Sequence, residues 1–233
     1  MKFTHPAIAG TIHLFFPHHC LGCGSDLLET KNLLCLKCIH DLPHTHFASY
    51  ADNPVEKIFR GRIKITSAHS EFYFTKDSLI QHLVHLLKYK SNPGIGIYLG
   101  ECLGNSLLHA GRFNSIDALI PLPLFPEKER KRGYNQAALI CKGIHHIIPV
   151  PVIKNNLIRQ RPTETQTKKH RTERWDNVKD SFVINDPSVL EGKHILLVDD
   201  VITTGATLEA AGSALLKLRD LTLSFATLAV AAR

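Results

Sequence analysis

Four of the six cysteines, Cys20, Cys23, Cys35 and Cys38, form two C-x2-C pairs separated by eleven residues. Each pair makes a knuckle, and two knuckles bring four thiolates to the corners of a tetrahedron. Zn²⁺ takes that arrangement when no coordination position is left open. Gly22 and Gly24 permit the tight turn that lets backbone amides approach the sulfurs. Structural zinc is the expectation over disulfides or a redox pair, because two such pairs stand so close together. His18, His19 and His40 flank the knuckles, but four cysteines already close the site. Cys102 and Cys141 lie in helix-like stretches and read as core thiols.

A second chemical cluster lies near the other end, in "HILLVDDVITTGATLEAAGSALL" from His194 to Leu216. The run "ILLV" is the continuous apolar pattern of a strand buried on both faces. Such a strand cannot hold adjacent unpaired carboxylates in its interior. Asp199 and Asp200 are therefore expected where it emerges, with "DDVITTGAT" as the loop and a helix starting near Gly205 to Thr207. Free N–H groups and the positive dipole end of that helix suit a phosphate. Gly205 lets the backbone come close, and Thr203, Thr204 and Thr207 add hydroxyls. Two carboxylates beside such a cradle suit neighbouring hydroxyls, or Mg²⁺ held through water. A phosphate site next to a diol or metal site has the layout of a sugar phosphate. The stretch is neither G-x-x-x-x-G-K-[ST] nor G-x-G-x-x-G. Capping alone accounts for the threonines of an ordinary strand–turn–helix, but not for the paired acids.

The elements that must position these residues follow from periodicity. Strands are expected in "ITSAHSEFYF", "SIDALIPLPLF", "VPVIKNNLIRQ", "SFVIN", "HILLVDD" and "LSFATLAVAA". Helices are expected in "KDSLIQHLVHLLKYK", in "GIGIYLGECLGNSLLHAG" ending at Gly111, in "KERKRGYNQAALICKGIHHII", which opens basic and becomes a helix, and in "GATLEAAGSALLKLR". Alternating strands and helices predict an α/β fold with a parallel core sheet covered on both faces. A short helix around Ile8, Ile12, Phe15 and Phe16 is expected to pack on the body. The 233 residues suit one medium domain plus a small appendage: residues 1–50 as helix and zinc ribbon, 51–233 as the larger domain. Lys and Arg outnumber Asp and Glu by 28 to 21, which favours anionic partners without choosing among them. No secretory signal or membrane-length apolar run is read in the sequence, so the expectation is a cytoplasmic protein with no membrane insertion.

"ILLVDDVITTGAT" resembles the binding signature for 5-phosphoribosyl-1-pyrophosphate (PRPP) in type I phosphoribosyltransferases. "DALIPLPLFPEKERKRGYNQA" and "RQRPTETQTKKHRTERWDNV" are similar to matching segments of the ComF family, whose members carry a four-cysteine zinc ribbon before a phosphoribosyltransferase domain. The resemblance spans nearly the whole chain in the right order. It implies a type I phosphoribosyltransferase fold with a small N-terminal zinc ribbon. It also implies that Asp199 and Asp200 hold the ribose hydroxyls and that Thr203, Thr204, Gly205, Ala206 and Thr207 wrap the 5′-phosphate. By the same resemblance Arg130, Lys131 and Arg132 stand near the pyrophosphate, and Arg159 to Arg174 form a hood over the ligand. The implied activity is a glycosyltransferase of the phosphoribosyltransferase class, Mg²⁺-dependent, moving phosphoribosyl to an unidentified acceptor. No acceptor pocket is readable in "LRDLTLSFATLAVAAR". The alternative is a DNA-uptake or competence role in which the fold serves as scaffold or sensor. The basic "KERKRGYNQ" and "KKHRTERW", with Tyr134 and Trp175, would then contact single-stranded DNA or competence proteins.

Overall fold

The computed structural model describes residues 18–26, 32–89, 92–160 and 181–231. The expected helix around Ile8 to Phe16, Trp175 and all of the expected hood except Arg159 and Gln160 lie outside the described residues.

The organising element is a four-stranded sheet, all parallel, built from β1 (Ala68–Phe74), β2 (Ala118–Pro121), β5 (His194–Ile202) and β6 (Thr222–Ala231) in the order β1-β6-β5-β2. A shorter antiparallel pair joins β3 (Leu157–Arg159) to β4 (Phe182–Ile184). The expected alternation of helix and strand is borne out. One face of the sheet is covered by α3 (Leu79–Tyr89), α4 (Pro93–Ala110) and α6 (Gln136–Ile147). The other is covered by α2 (Pro54–Phe59) and α7 (Ala206–Leu215). Central-strand residues Leu196 and Val198 point to the first core, and Ile195 and Leu197 to the second, as a strand buried on both faces requires. α4 and α6 approach so closely that a Cβ on Gly100 would lie 2.3 Å from the Ile140 carbonyl oxygen. No side chain fits there, so the contact depends on glycine.

Three local readings change. The stretch expected to open basic and become a helix holds two, α5 (Pro126–Arg132) in its basic opening and α6, separated because Gly133 turns with φ 80° and Asn135 caps the second helix. "VPVIKNNLIRQ" gives only a bridge at Val152 and the three residues of β3. β5 continues through Ile202, so Asp199 and Asp200 belong to the strand and the loop shortens to Thr203–Gly205.

Glu71 on β1 is a buried carboxylate with named partners. It meets His44 Nδ1 at 2.7 Å and His69 Nε2 at 2.9 Å, and accepts a hydrogen bond from Ser106 at 3.0 Å. Burial alone would raise its pKa, but these partners hold it down to about 2 from the ordinary 4.5. The folded chain thus binds this proton more weakly than the unfolded chain. The stabilisation is present above about pH 4.5 and fades as pH falls toward 2, a total of about 3 kcal/mol. In urea titrations across that window, Glu71→Gln is expected to be less stable than wild type at pH 6, with the gap narrowing toward pH 3. A gap independent of pH contradicts this account.

Candidate functional site

At the carboxyl end of β5 the backbone turns through Thr203 and Thr204, and Gly205 sits at the α7 N-cap with φ 75°. A Cβ at Gly205 would lie 2.8 Å from the Phe59 ring, so neither the conformation nor the space admits another residue. Asp199 and the residues from Val201 to Leu208 line a small cup of about 40 Å³ over this turn. Thr203, Thr204 and Ala206 are exposed in it, and Thr207 is half-buried. The first turn of α7 supplies N–H groups that no helical carbonyl can satisfy. The cup is held from outside by Arg62, which follows α2. Its guanidinium donates to the Thr204 carbonyl at 2.8 Å and to the Ile58 carbonyl at 3.0 Å, and pairs with Glu209.

The acid pair sits beside this cup, with both residues half-buried. Asp199 Oδ1 accepts from the Asp200 N–H at 2.8 Å, and Asp200 Oδ1 accepts from the Val201 N–H at 2.6 Å. Lys88, at the end of α3, reaches Asp200 Oδ2 at 3.0 Å. Burial, and then the Asp200 charge, push the Asp199 carboxyl up to about 8 against the opposing pull of Lys88 and Arg159. Arg159 at the end of β3 stacks over the Phe125 ring at 4.1 Å, and burial lowers its pKa while the Asp199 charge opposes that shift. Its Nε, like Gln136 Nε2, is a buried donor atom with no partner among the described residues. A strand can therefore carry two acids because Lys88, Arg159 and backbone amides answer them.

The structure thus brings Asp199, Asp200 and the Thr203–Thr207 turn together. Arg130 and Lys131 are exposed on α5. Arg132 turns inward, donating to Gln136 Oε1 at 2.8 Å and standing 5.6 Å from the Tyr89 ring centroid, next to Lys88. Tyr134 and Asn135 tie this segment down, donating to the carbonyls of Leu87 at 2.6 Å and Leu122 at 3.0 Å. Lys88 and Arg62 escape sequence reasoning. Each is one cation among many on a helix or connector, and its partner lies more than a hundred positions away.

At the other end, the sulfurs of Cys20, Cys23, Cys35 and Cys38 all lie within 4.8 Å of one another, with Cys23 and Cys35 3.7 Å apart. Four thiolates at the zinc–sulfur distance of about 2.3 Å from a common centre stand roughly 3.8 Å apart, so this donor set fits Zn²⁺. Amides of Gly22 and Cys35 donate to Cys20 Sγ at 3.4 and 3.2 Å, as a thiolate site requires. Cys20, Leu34 and Cys38 share a continuous core with Ile80 and Leu83 of α3, and His82 meets the Leu21 carbonyl at 3.0 Å. No helix among the described residues is long and apolar enough to cross a membrane.

Residues 137–233 match the phosphoribosyl transferase domain family. Competence protein F of Haemophilus influenzae is 26% identical over 215 residues, covering 88% of this chain and 93% of that protein. DNA utilization protein YhgH of Escherichia coli O157:H7 is 31% identical over 192 residues, covering 81% and 80%. Competence protein ComFC of Bacillus subtilis is 37% identical over 99 residues, covering 42% and 38%. With a parallel sheet flanked by helices and a four-cysteine cluster near its N-terminus, the chain belongs to the ComF family of phosphoribosyltransferase-type proteins.

Proposed function

We propose that the protein binds PRPP, or another ribose phosphate, and transfers its phosphoribosyl group to an acceptor with release of pyrophosphate. The observation that carries this reading is the cup of Thr203, Thr204, Gly205, Ala206 and Thr207 set directly beside the half-buried Asp199–Asp200 pair. Backbone N–H groups of the cup and the hydroxyls of its threonines hold the 5′-phosphate. The carboxylates accept hydrogen bonds from the ribose 2′- and 3′-hydroxyls. Bond breaking at C1 puts positive character on the sugar, which the two carboxylates favour, and negative charge on the leaving group, which Arg132, Arg130 and Lys131 favour. Asp199 and Asp200 are also the residues that would hold Mg²⁺ through water, where it would neutralise pyrophosphate charge.

The raised pKa of Asp199 gives this reading a signature. Burial and the neighbouring Asp200 charge disfavour the ionised form of Asp199 in the free protein, whereas hydroxyl donors and Mg²⁺ favour it. Binding is then expected to be coupled to loss of a proton. Calorimetric titration of PRPP with Mg²⁺ into the full chain at pH 7, in buffers of different ionisation enthalpy, is expected to show proton release. Affinity is expected to rise as pH approaches about 8. No heat of binding at any pH refutes the reading.

A second reading is favoured by the names of the relatives, competence protein and DNA utilization protein, and by the exposed Arg130 and Lys131 on α5. In it, the chain handles single-stranded DNA. The same titration with a single-stranded oligonucleotide in place of PRPP separates the two: salt-sensitive DNA binding lost in Arg130→Ala/Lys131→Ala supports it, and no binding at low salt removes it.

A further inference from the structure

We propose that a cavity of about 530 Å³ behind the phosphate cup is an effector site, separate from the sugar site. It takes a small organic monocarboxylate with an apolar body and, when filled, weakens the hold of the cup on its own ligand. The ligand class rests on the lining of the cavity; only the consequence for ribose phosphate rests on the reading above. The cavity lies at the carboxyl ends of β1 and β6, against α2. Neither Asp199 nor Asp200 lines it, so it stands apart from the sugar. Its volume is in the range of small-molecule sites.

Charge and polarity of the lining define the occupant. Phe47 and Tyr73 meet edge to face at 5.6 Å, and Ile58 and Val230 complete an apolar wall. Covering that wall favours an apolar body. Two cations, Lys57 and Arg62, line the cavity, and among the described residues no Asp, Glu or His does. Arg62 is answered by Glu209. Lys57 is answered less well: its ion-pair partner Asp52 stands 3.8 Å away and also pairs with Arg60. Three cations, Lys57, Arg60 and Arg62, thus meet two carboxylates, Asp52 and Glu209. One positive charge is left over, and Lys57 brings it to the cavity. A monocarboxylate matches that single charge and carries the apolar body with it. A di- or triphosphate would bring more charge than this wall answers.

Three residues tie the cavity to the turn. Thr203 lines both spaces. Ile58 lines the cavity and packs so closely on Gly205 that a Cβ there would lie 2.9 Å from its Cγ2. Arg62 lines the cavity while its guanidinium holds the Thr204 carbonyl and Glu209. A carboxylate seated against Lys57 also attracts Arg62, in competition with Glu209 and the Thr204 carbonyl. The turn then loses its outer prop. Filling the cavity and filling the cup are therefore negatively coupled, and the coupling is equal in both directions.

The test uses ligand-observed NMR on the full chain, with phenylacetate and isovalerate as carboxylate probes and phenylacetamide as the neutral counterpart. Phenylacetate is expected to bind about tenfold more tightly than the amide, and Lys57→Gln and Tyr73→Ala each to weaken it by about tenfold, the size of one good contact. Both side chains reach solvent, so neither substitution empties the core. Coupling is read in two ways. With phenylacetate at saturation, the amides from Thr204 to Glu209 are expected to exchange faster, and affinity for PRPP with Mg²⁺ to fall about fivefold, the low end of coupling between sites. In Lys57→Gln, PRPP affinity is expected to be as in wild type and indifferent to phenylacetate. Equal affinity for acid and amide, or binding indifferent to both substitutions, overturns the ligand assignment. Binding that changes neither exchange of the turn nor PRPP affinity overturns the effector role. If PRPP does not bind at all, the ribose phosphate reading falls and the exchange measurement alone decides the coupling.

Discussion

Neutralising both acids, as Asp199→Asn/Asp200→Asn, is expected to lower affinity for PRPP with Mg²⁺ at least 100-fold while leaving the protein folded. Hydrogen bonds to a charged group contribute about 1.5–3 kcal/mol each, and the pair loses two or more of them, which is two to four powers of ten in the dissociation constant. Stability moves little for a specific reason. Asp199 is destabilised as a carboxylate by burial and by its neighbour's charge, so an amide relieves a cost there. Lys88 loses its ionic partner, yet its side chain is 22% exposed and can turn to water. Thermal unfolding reports the second half of the expectation and calorimetric titration the first. If the double variant binds PRPP as wild type does, the acids do not hold the sugar.

If the four thiolates hold zinc, as their spacing fits, removing it is expected to disturb much more than the segment that carries them. Cys20 and Cys38 are buried in the same apolar cluster as Ile80, Leu83 and Leu87 of α3, and His82 of that helix is hydrogen-bonded to the knuckle at Leu21. Zinc in short thiolate sites supplies most of the local folding free energy. Chelation is therefore expected to lower the thermal midpoint by about 10 °C, corresponding to a few kcal/mol for a chain of this size. Hydrogen exchange locates the damage. Amides of Cys20 to Cys23, Cys35 to Asp41 and α3 are expected to lose protection together, and those of β5 and β6 to keep it. Because Lys88 closes α3 against Asp200, PRPP affinity is expected to fall in the apo protein as well. Unchanged protection of α3 in metal-free protein contradicts the coupling.

The sequence reveals this fold best where a local rule is strong. "ILLV" followed by paired acids and a glycine that must adopt positive φ announces β5, the turn and α7 within a residue or two. Two cysteine pairs at short spacing announce the knuckles. Sequence reasoning is weakest where the deciding partner is distant. The acids were expected to leave the strand because a buried carboxylate needs an answer, and the answer is Lys88, supplied by a helix more than a hundred residues earlier. Nothing in the period of "HLLKYK" marks one lysine as that partner. The break between α5 and α6 is written in Gly133 and Asn135, and the basic opening was expected without a helix of its own. Val152 could have continued a strand; it finds a single bridge to Leu119 instead.

The pairing order of the central sheet carries a practical lesson about where this molecule can be cut. The stretch that matches the phosphoribosyl transferase family begins at residue 137, whereas β5 is flanked by β2 and β6 by β1, both encoded earlier. A fragment trimmed to the family-matched stretch would keep the signature loop but present two long hydrophobic strands with open edges on both sides, a template for clumping. It would also lack the arginine that props the turn from outside. Expression trials aimed at a minimal folded piece should therefore begin upstream of residue 54, since the stretch that matches the family and the unit that physics holds together have different boundaries.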